Sequence, residues 1–452
     1  LNELRFEGAI VSVLEQLHIT TGDTYFSPQH VKNETFDLLG VKDLSDNPML
    51  IDATYLEAVS KAVKDKLVVV FHFSDNKCSS CSYDDDDARV SLMVYFRTEV
   101  AIKREIESFI QAKKVVPDFD KASKKLLEIA KTQGIIPDDN QMKALIMCMY
   151  EPFSIITGGP GTGKTTITGI LARHFENEGL KCEFCAPTGR AAKRLSEAAG
   201  VKANTIHRLL EMSADADNEN SEVLFGRNAN NPIDARVIVV DEASMVDTLL
   251  FKALLSAIKK NASIILIGDP NQLPSVGAGN ILKDLISCKS IPCVSLEYVF
   301  RQADESSIAS NSCRILRGDH LIGNDSDFVI HNVNSDYEAL ELLKNLSVQY
   351  HNSDIAILCP TKQNVLGTSS LNYELQNLLI KDKENPIKVR SDLVLYKEDR
   401  VMQSKNNYKI EYCLASEIAK VDELTEELLA AQQKVELLEK QLKNKASSMY
   451  YD

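Results

Sequence analysis

Short, nearly continuous apolar runs alternate with helix-like segments between about residues 135 and 360. The runs occupy residues 153–157, 182–186, 237–240, 263–267 and 355–358. Apolar runs of this length, without polar alternation, are typical of strands that are buried on both faces, as in a parallel sheet covered by helices. The pattern therefore predicts an α/β domain built on a parallel sheet.

The first 105 residues follow a different pattern. Residues 52–65 place apolar side chains at helical spacing, and residues 67–73 and 90–96 are predicted as two strands that flank an Asp-rich turn. A helix followed by a two-stranded wing predicts a small α+β domain that is winged-helix-like. Residues 99–132 are Lys-rich and have helical apolar spacing, so we expect them to be helical.

Residues 415–445 are rich in Glu, Lys, Leu and Gln and contain neither Gly nor Pro. Apolar residues recur there at spacings of three and four, from Val421 to Leu442. This heptad pattern predicts a C-terminal coiled-coil helix and a homodimer formed through residues 421–442. The alternatives are a long solvated helix that packs on its own domain, or an end that results from a faulty gene model.

Composition and charge exclude several classes of protein. The 452 residues carry a formal net charge of -14, so nucleic-acid binding would depend on a local basic patch. No apolar run reaches about 18 residues, which predicts no membrane span. Ten cysteines are too few for a disulfide framework, and they favour a reduced, intracellular and cytoplasmic protein. Cys78 and Cys81 have zinc-like spacing, but no suitable second pair accompanies them, which favours plain thiols.

A glycine-rich motif follows the first predicted strand of the α/β domain and opens a helix. Residues 158–165 fit the phosphate-loop pattern G-x-x-x-x-G-K-[ST], which includes the Walker A lysine. Backbone N–H groups and the helix N-terminus would bind phosphates, Lys164 would contact the β- and γ-phosphates, and Thr165 would bind Mg²⁺. The alternative is a chance glycine-rich turn. The predicted ATP-binding residues here are Gly158, Gly159, Pro160, Gly161, Thr162, Gly163, Lys164, Thr165 and Thr166.

A second motif places two acids at the end of an apolar strand. Residues 237–240 lead directly into Asp241 and Glu242. Ligands of open α/β sheets bind at the carboxyl ends of the strands. We therefore expect Asp241 to hold Mg²⁺ and Glu242 to orient and deprotonate the attacking water. Together, the two motifs predict a P-loop NTPase that uses ATP and Mg²⁺.

Further motifs follow in a characteristic order. They are residues 186–195 (Ala-Pro-Thr-Gly-Arg-Ala-Ala-Lys-Arg-Leu), 205–210 (Thr-Ile-His-Arg-Leu-Leu), 241–247 (Asp-Glu-Ala-Ser-Met-Val-Asp), 268–279 (Gly-Asp-Pro-Asn-Gln-Leu-Pro-Ser-Val-Gly-Ala-Gly) and 299–302 (Val-Phe-Arg-Gln). In this combination the chain resembles the RecD-like branch of superfamily 1 (SF1B) ATP-dependent DNA helicases, which are exodeoxyribonuclease V alpha-subunit-like. The resemblance is strong over residues 141–318 and moderate over residues 355–408. It implies ATP hydrolysis, 5′-to-3′ movement on single-stranded DNA, and a role in DNA repair or recombination.

The resemblance also implies roles for single residues. Gln141 would read adenine, Gln272 would couple the γ-phosphate to the DNA site, and Arg301 would contact the γ-phosphate. The implied catalytic residues are Lys164, Glu242, Gln272 and Arg301. Single-stranded DNA contacts are implied at Pro187, Thr188, Arg190, Thr205, His207, Thr361 and Lys362. The alternatives are a solvated helix face at residues 190–194 and a buried, hydrogen-bonded His207. A polar insert would hold a duplex-splitting hairpin near residues 223–225, or else be a disordered acidic loop.

We expect four domains in this order. They are a winged-helix-like domain at residues 1–105, a RecA-like domain 1A at 106–320 with a small insert at about 211–235, a partial RecA-like domain 2A at 321–412, and a heptad-patterned tail at 413–452. By the standards of the family, an SH3-like insert and the last helicase motifs should follow Tyr408, so we expect the chain to be C-terminally truncated. The alternative function is therefore a non-motor ATP- and DNA-binding protein that dimerises through its coiled coil.

Overall fold

The computed structural model describes residues 2–41, 48–74, 77–111, 118–212, 225–296, 306–324, 326–351 and 353–401, apart from residues 381, 382, 384, 385, 391, 392 and 398. The chain divides into two compact units, Leu1–Val329 and Ile330–Asp452. The predicted coiled coil and Arg301 lie outside the described residues.

The N-terminal part consists of three helices followed by three antiparallel strands. The elements are α1 (Glu3–Thr21), α2 (Pro28–Leu39), α3 (Pro48–Lys64), β1 (Val68–Ser74), β2 (Lys77–Ser80) and β3 (Arg89–Leu92), and the strand order is β2-β1-β3. Phe26, between α1 and α2, pairs with Val90 of β3. The sequence predicted two strands here, whereas the structure has three, and the winged-helix-like domain stays a prediction.

The predicted strand over residues 90–96 is wrong in its second half. Strand β3 ends at Leu92, and α4 (Met93–Ile110) begins at the next residue. Tyr95 and Phe96 favour strands by local propensity, but burial in α4 recurs at helical spacing, which decides the conformation. The buried positions of α4 are Thr98, Ile102, Ile106 and Phe109. The helical prediction for residues 99–132 corresponds to two helices, α4 and α5 (Phe119–Thr132), and residues 112–117 between them are not described.

A six-stranded parallel sheet forms the centre of the first unit. Its elements in chain order are α6 (Asp139–Tyr150), β4 (Phe153–Gly158), α7 (Lys164–Asn177), β5 (Cys182–Ala186), α8 (Gly189–Ala199), β6 (Ala203–Thr205), α9 (Ile206–Leu209), β7 (Val237–Val240), α10 (Thr248–Ser256), β8 (Ser263–Gly268), α11 (Ile281–Ser287) and β9 (Cys293–Leu296). The strand order is β6-β5-β7-β8-β4-β9. Four of the five predicted strands are confirmed, and α12 (Ser307–Arg317) follows the sheet.

Both faces of this sheet are apolar, which explains the unbroken apolar runs. On one face Ile155, Ile238 and Ile264 join a core with residues of α4, α10 and α11, and on the other face Ile156 and Ile265 join a core with residues of α5, α6, α7 and α8. All five of these isoleucines are fully buried. Alternate residues of a strand point to opposite faces, so a strand covered on both sides needs apolar residues at every position.

The register aligns the carboxyl ends of the strands along one edge. Thr157 of β4 pairs with Gly268 of β8, and Cys185 of β5 pairs with Val240 of β7. The chain leaves each of these strands at nearly the same level, so the segments that follow β4, β5, β7 and β8 meet at this edge. In open parallel sheets this is where ligands bind.

The described residues of the second unit contain no parallel strand pair. They hold α13 (Asp336–Gln349), α14 (Thr368–Leu379) and an antiparallel pair, β10 (Ile387–Arg390) and β11 (Leu393–Leu395). The predicted strand at residues 355–358 is wrong, because these residues are irregular and Leu358 is 92% exposed. An apolar run forms a buried strand only where neighbouring strands pair with it and helices cover it.

Two boundaries of the sequence prediction fall on identifiable elements. The boundary at residue 105 lies within α4, and the boundary at residue 320 lies nine residues before Val329, where the first compact unit ends. The polar insert is closed at its base by backbone pairing, since Met212 bridges Phe225 and Arg227 N–H donates to Leu210 C=O at 3.0 Å. The insert between these ends, residues 213–224, is not described, and the predicted hairpin tip lies mostly within it.

Two sequence expectations concern membranes and thiols. Across the described part of the chain, no helix is both long and apolar enough to cross a membrane. The cysteines in this part, Cys78 and Cys81 among them, are free thiols. Nor does any group of three or more His, Cys, Asp or Glu among the described residues form a candidate metal cluster.

His18 makes the stability of the N-terminal part depend on pH. Its ring is 1% exposed, lies against Phe26 and Tyr95, and its Nδ1 is 2.6 Å from Asp23 C=O, while Nε2 has no partner among the described atoms. Burial lowers the pKa of His18 below 6.5. The unfolded chain therefore takes up the proton first, so its contribution to stability is complete above about pH 6.5 and is lost as the pH falls.

We expect the melting temperature to fall as the pH is lowered from about 7 to about 5, and to fall less in His18→Asn. The asparagine amide replaces the Nδ1 donor but does not titrate. Other histidines affect both proteins equally, so the difference between the two melting curves isolates His18. Parallel curves for the two proteins would contradict the assignment.

Candidate nucleotide site and nucleic-acid edge

The phosphate loop has a backbone that only glycine adopts easily at two positions. Gly161 and Gly163 have φ of 75° and 87°, in the left-handed region. Gly158 ends β4, and a Cβ there would lie 2.5 Å from Thr162 Oγ1. Thr162 Oγ1 donates to Gly159 C=O at 2.9 Å, which closes the loop on itself. The loop is therefore a tight turn that leads directly into the N-terminus of α7, a preformed anion-binding geometry.

Lys164 lies over this loop. Its Nζ donates to Gly158 C=O at 2.6 Å and to Gly159 C=O at 2.8 Å. Burial lowers the pKa of the Lys164 amine, while the nearby Asp269 and Glu242 act to raise it. Thr165 and Thr166 follow in the first turn of α7 and are half-buried. A cation, free N–H groups and hydroxyls thus converge where the phosphate groups of a nucleotide would bind.

Gln141 lies beside the loop and is held in place by two interactions. Its side chain and that of Asp138 form a reciprocal cap of α6, with Gln141 N–H 2.8 Å from Asp138 Oδ1 and Asp138 N–H 3.1 Å from Gln141 Oε1. Gln141 Nε2 donates to Thr162 C=O at 3.2 Å, and a Cβ at Gly163 would collide with this amide. The structure therefore places the predicted adenine-reading residue next to the phosphate loop.

Asp241 and Glu242 stand at the end of β7, two strands away from the loop. Burial raises the pKa of Asp241 to about 6, although a hydrogen bond from the Glu242 backbone acts to lower it. Glu242 adopts a left-handed backbone (φ 53°, ψ 40°), which is rare for a residue with a side chain, and its Oε2 is buried without a hydrogen-bond partner in the described structure. Backbone strain and an orphaned buried oxygen are typical of functional positions.

These residues fit Mg²⁺. Magnesium prefers carboxylate, hydroxyl and phosphate oxygens, and Asp241 and Thr165 offer the first two of these. The half-buried carboxylate of Asp241 has a pKa raised by burial, and a divalent cation would add positive charge that favours its ionised form. The predicted metal ligands are therefore chemically suited to the ion.

Asp269 and Gln272 leave the end of β8, between the loop strand and the acid strand. Asp269 is 4% exposed, and its Oδ1 accepts from Asn271 N–H at 3.0 Å. Gln272 is exposed, and its Nε2 is 3.5 Å from Asp269 Oδ2. Sequence reasoning assigned no role to Asp269, although it lies within the quoted 268–279 motif. Arg194 of α8 was also missed as a neighbour of this site. It acts to lower the pKa of both Lys164 and Asp241, although burial has a larger effect on each.

The candidate DNA residues of β5 and β6 lie next to each other. Ala186 pairs with Thr205, so the segment that follows β5 and the end of β6 share the same edge. Thr188 caps α8 by accepting from Ala191 N–H at 3.2 Å, and Thr205 caps α9 in the same way from Arg208. Pro187 precedes the first cap, and Arg190 is exposed in the first turn of α8. This arrangement offers helix N-termini, hydroxyls and a guanidinium, which are groups that contact nucleic-acid phosphates.

His207 and the residues of the second unit are less informative. His207 is half-buried beside Phe225, burial lowers the pKa of the ring, and its side chain makes no hydrogen bond with another described residue. Thr361 and Lys362 are exposed in the second unit, where Thr361 Oγ1 donates to Gln363 C=O at 2.9 Å. Thr361 and Lys362 belong to the second compact unit, whereas the other candidate DNA residues belong to the first, and Arg301 is not described.

A parallel sheet with a phosphate loop after one strand and two half-buried acids after another defines a P-loop NTPase domain. Residues 137–331 match the family model described as an AAA domain. This match and the sheet confirm the predicted α/β fold class.

Known relatives narrow the class. The chain is 30% identical over 318 residues to the ATP-dependent RecD2 DNA helicase of Deinococcus radiodurans, covering 70% of this chain and 43% of the relative. It is 34% identical over 189 residues to the RecBCD enzyme subunit RecD of Mycolicibacterium smegmatis, covering 35% of this chain and 33% of the relative. It is also 40% identical over 126 residues to the ATP-dependent DNA helicase dda of Enterobacteria phage T4, covering 27% of this chain and 28% of the relative.

The chain spans less than half the length of each of these relatives. The matches confirm the RecD-like resemblance that the motifs indicated. Two of these relatives, the RecD2 helicase and the dda helicase, are named as ATP-dependent.

Proposed function

We propose that this chain is an ATP-dependent DNA helicase or translocase that moves 5′ to 3′ along single-stranded DNA in repair or recombination. One observation carries the proposal: a single sheet edge holds the candidate nucleotide residues after β4, β8 and β7, and the candidate DNA residues after β5 and at the end of β6. The two sets lie on adjoining strands, so a change at one can reach the other. The names of the relatives, which are ATP-dependent DNA helicases, support the same conclusion.

In this proposal the nucleotide end works mainly by placing charge. The N–H groups of the loop and Lys164 would bind the phosphates of ATP, and Thr165 and Asp241 would hold Mg²⁺, which would supply positive charge to the phosphates. Glu242 orients a water for attack on the γ-phosphate and accepts its proton. Arg301 would supply a further cation to the same phosphate. Phosphoryl transfer needs little covalent help, so positioning and electrostatics account for most of the rate.

The DNA end holds the backbone of the strand without reading its sequence. Thr188 and Thr205 present hydroxyls and helix N-termini, and Arg190 presents a mobile charge; Thr361 and Lys362 would contact the strand from the second unit. Gln272 leaves the central strand between the two sets, where it can report the state of the γ-phosphate. Steps along DNA would follow from these contacts changing with each ATP hydrolysed.

Two finer parts of the proposal rest on sequence alone. The heptad pattern of residues 421–442 supports a homodimer. The sparse cysteines support an intracellular, cytoplasmic location.

The test is unwinding of duplexes that carry a 5′ or a 3′ single-stranded tail, together with ATP hydrolysis with and without single-stranded DNA. We expect DNA to stimulate hydrolysis, and the 5′-tailed duplex alone to be unwound. In Arg190→Ala we expect weaker binding of single-stranded DNA and a smaller salt dependence, with the slope of log affinity against log salt reduced by about 0.7. Arg173→Ala is the matched control, because Arg173 is an exposed arginine of α7 that pairs with Glu176.

Each outcome has a distinct meaning. Unwinding of the 3′-tailed duplex alone would overturn the polarity. Binding of ATP and DNA without stimulated hydrolysis or unwinding would favour the non-motor alternative. Equal salt slopes in Arg190→Ala and Arg173→Ala would remove the edge formed by β5 and β6 from the DNA site.

A further inference from the structure

The loop that carries Gln272 is anchored at its far end by the N-terminal part of the chain. This loop, residues 269–279, begins at Asp269 beside Lys164 and is here called the Gln272 loop. At its other end, Gly279 N–H donates to Gly22 C=O at 2.7 Å. Gly22 is the C-cap of α1, about 250 positions earlier in the chain. The hydrogen bond therefore joins the N-terminal part of the chain directly to a loop of the candidate nucleotide site.

The same end of the loop is also packed tightly against α10. Ala278 C=O accepts from Thr248 N–H at 3.0 Å, and Ser275 Oγ donates to Gly279 C=O at 2.9 Å. Gly279 has φ of 103°, and a Cβ there would collide with Thr248 Oγ1. With α10 on one side and Gly22 on the other, the end of the loop has little freedom to move.

The N-terminal side of this contact is a rigid turn. Residues 22–24, here called the brace turn, follow α1, and Gly22 itself is left-handed with φ of 77°. Thr24 Oγ1 donates to Glu99 at 2.6 Å, and Ser91 Oγ donates to Thr24 C=O at 2.5 Å. His18 Nδ1 lies 2.6 Å from Asp23 C=O. Three side chains from α1, β3 and α4 thus fix a turn of three residues.

We propose that the brace turn is a positioning element for ATP hydrolysis, which holds the Gln272 loop so that Asp269 and Gln272 face the phosphate loop correctly. The inference rests on the proposed ATPase function and extends it to a part of the chain outside the motor sheet. The brace acts on the end of the loop remote from the nucleotide. It therefore governs how the loop is aligned for catalysis, and it does not contribute to phosphate binding itself.

The proposal predicts a split between kinetic constants. ATP affinity depends on the phosphate loop, which the brace does not touch, whereas turnover depends on the alignment of the Gln272 loop. Misplacement of a catalytic group by about 1 Å can cost up to about 100-fold in rate. Loosening the brace should therefore lower kcat and leave the KM for ATP nearly unchanged.

The experiment uses the whole chain with Ser91→Ala and with Thr24→Val, each of which removes one hydrogen bond to the brace turn. The matched controls are Ser60→Ala and Thr54→Val, because those hydroxyls donate to helix carbonyls on exposed surfaces of α3. We expect DNA-stimulated kcat to fall about tenfold in the brace variants, and KM for ATP to change less than about twofold. Hydrogen exchange of the peptide covering residues 269–280 should rise in the same variants and stay unchanged in the controls.

Hydrogen exchange separates a failure of the brace from a failure of the ATPase proposal. Hydrogen exchange needs no catalysis, so it reports on the brace turn even if the wild-type chain shows no DNA-stimulated hydrolysis. Absence of that hydrolysis would count against the proposed function and not against the brace turn. Increased exchange in residues 20–25 with unchanged exchange in residues 269–280 would overturn the brace. Increased exchange in the Gln272 loop with unchanged kcat would also overturn the proposal. A change in the KM for ATP as large as the change in kcat would do the same.

Discussion

Replacement of Lys164 by alanine is expected to weaken ATP binding and to lower the rate of ATP hydrolysis severely. The amine of Lys164 is half-buried above the phosphate loop and bonded to two of its carbonyl oxygens. Alanine leaves the loop glycines in place but removes the cation that balances the phosphate charge. Loss of one preorganised charge of this kind costs a factor of about 10² to 10³ in turnover. Because the same charge binds the ground state, nucleotide affinity should fall as well.

Lys164→Ala is measured by fluorescent-nucleotide binding and by steady-state hydrolysis with saturating single-stranded DNA. Lys131→Ala removes an exposed lysine of α5 from the same domain and serves as the control for lost charge. Melting temperatures of the two variants show whether the loop remains folded. If Lys164→Ala bound and hydrolysed ATP as well as Lys131→Ala does, the phosphate loop could not be the nucleotide site.

The sheet and the phosphate loop were predictable because local sequence determines them. Strands covered on both faces need unbroken apolar runs, and the runs that became β4, β5, β7 and β8 are almost entirely buried. Likewise, the glycines at positions 161 and 163 are required by the backbone that they adopt. Each of these features is encoded within fewer than ten residues.

The errors arose where the outcome depends on distant partners. Residues 93–96 have strand-forming side chains, yet they begin α4, which packs on α10 about 150 positions later. Strand β9 was missed because Cys293 and Ser295 are exposed, which interrupts the apolar pattern. The apolar run at residues 355–358 looks like β7 in sequence, but it is not buried as β7 is. Local pattern identifies a strand only when its surroundings complete a sheet.

The candidate site likewise has one part that the local sequence predicts and another that depends on tertiary contacts. Lys164, Asp241 and Glu242 lie in contiguous motifs, so their types and order could be recognised. The hydrogen bond between Gly22 and Gly279 could not be recognised from the sequence, because two backbone atoms form it and no side chain marks it. The buried state of Asp269 depends on how the loop after β8 folds back, which is again a tertiary property.

Replacement of Glu242 by glutamine is expected to separate binding from hydrolysis. Glutamine keeps the shape and size of the side chain but cannot accept a proton from water. Since a positioned general base contributes a factor of about 10² to 10⁴, turnover should fall by that amount. The cation, loop and metal ligands are unchanged, so Mg-ATP binding should persist, unlike in Lys164→Ala. The variant should therefore hold ATP and single-stranded DNA together without turning over.

The comparison of the two variants is stronger than either one alone. Glu176→Gln provides the control, because Glu176 is an exposed α7 carboxylate that pairs with Arg173. Single-turnover hydrolysis and nucleotide binding are measured for all three proteins at equal occupancy by ATP. Normal single-turnover rates in Glu242→Gln would mean that another carboxylate activates the water, and Asp269, which is buried and acts on the pKa of Lys164, would be the candidate. In that case the strained backbone of Glu242 would serve to shape the turn after β7, and Asp269→Asn would carry the loss instead.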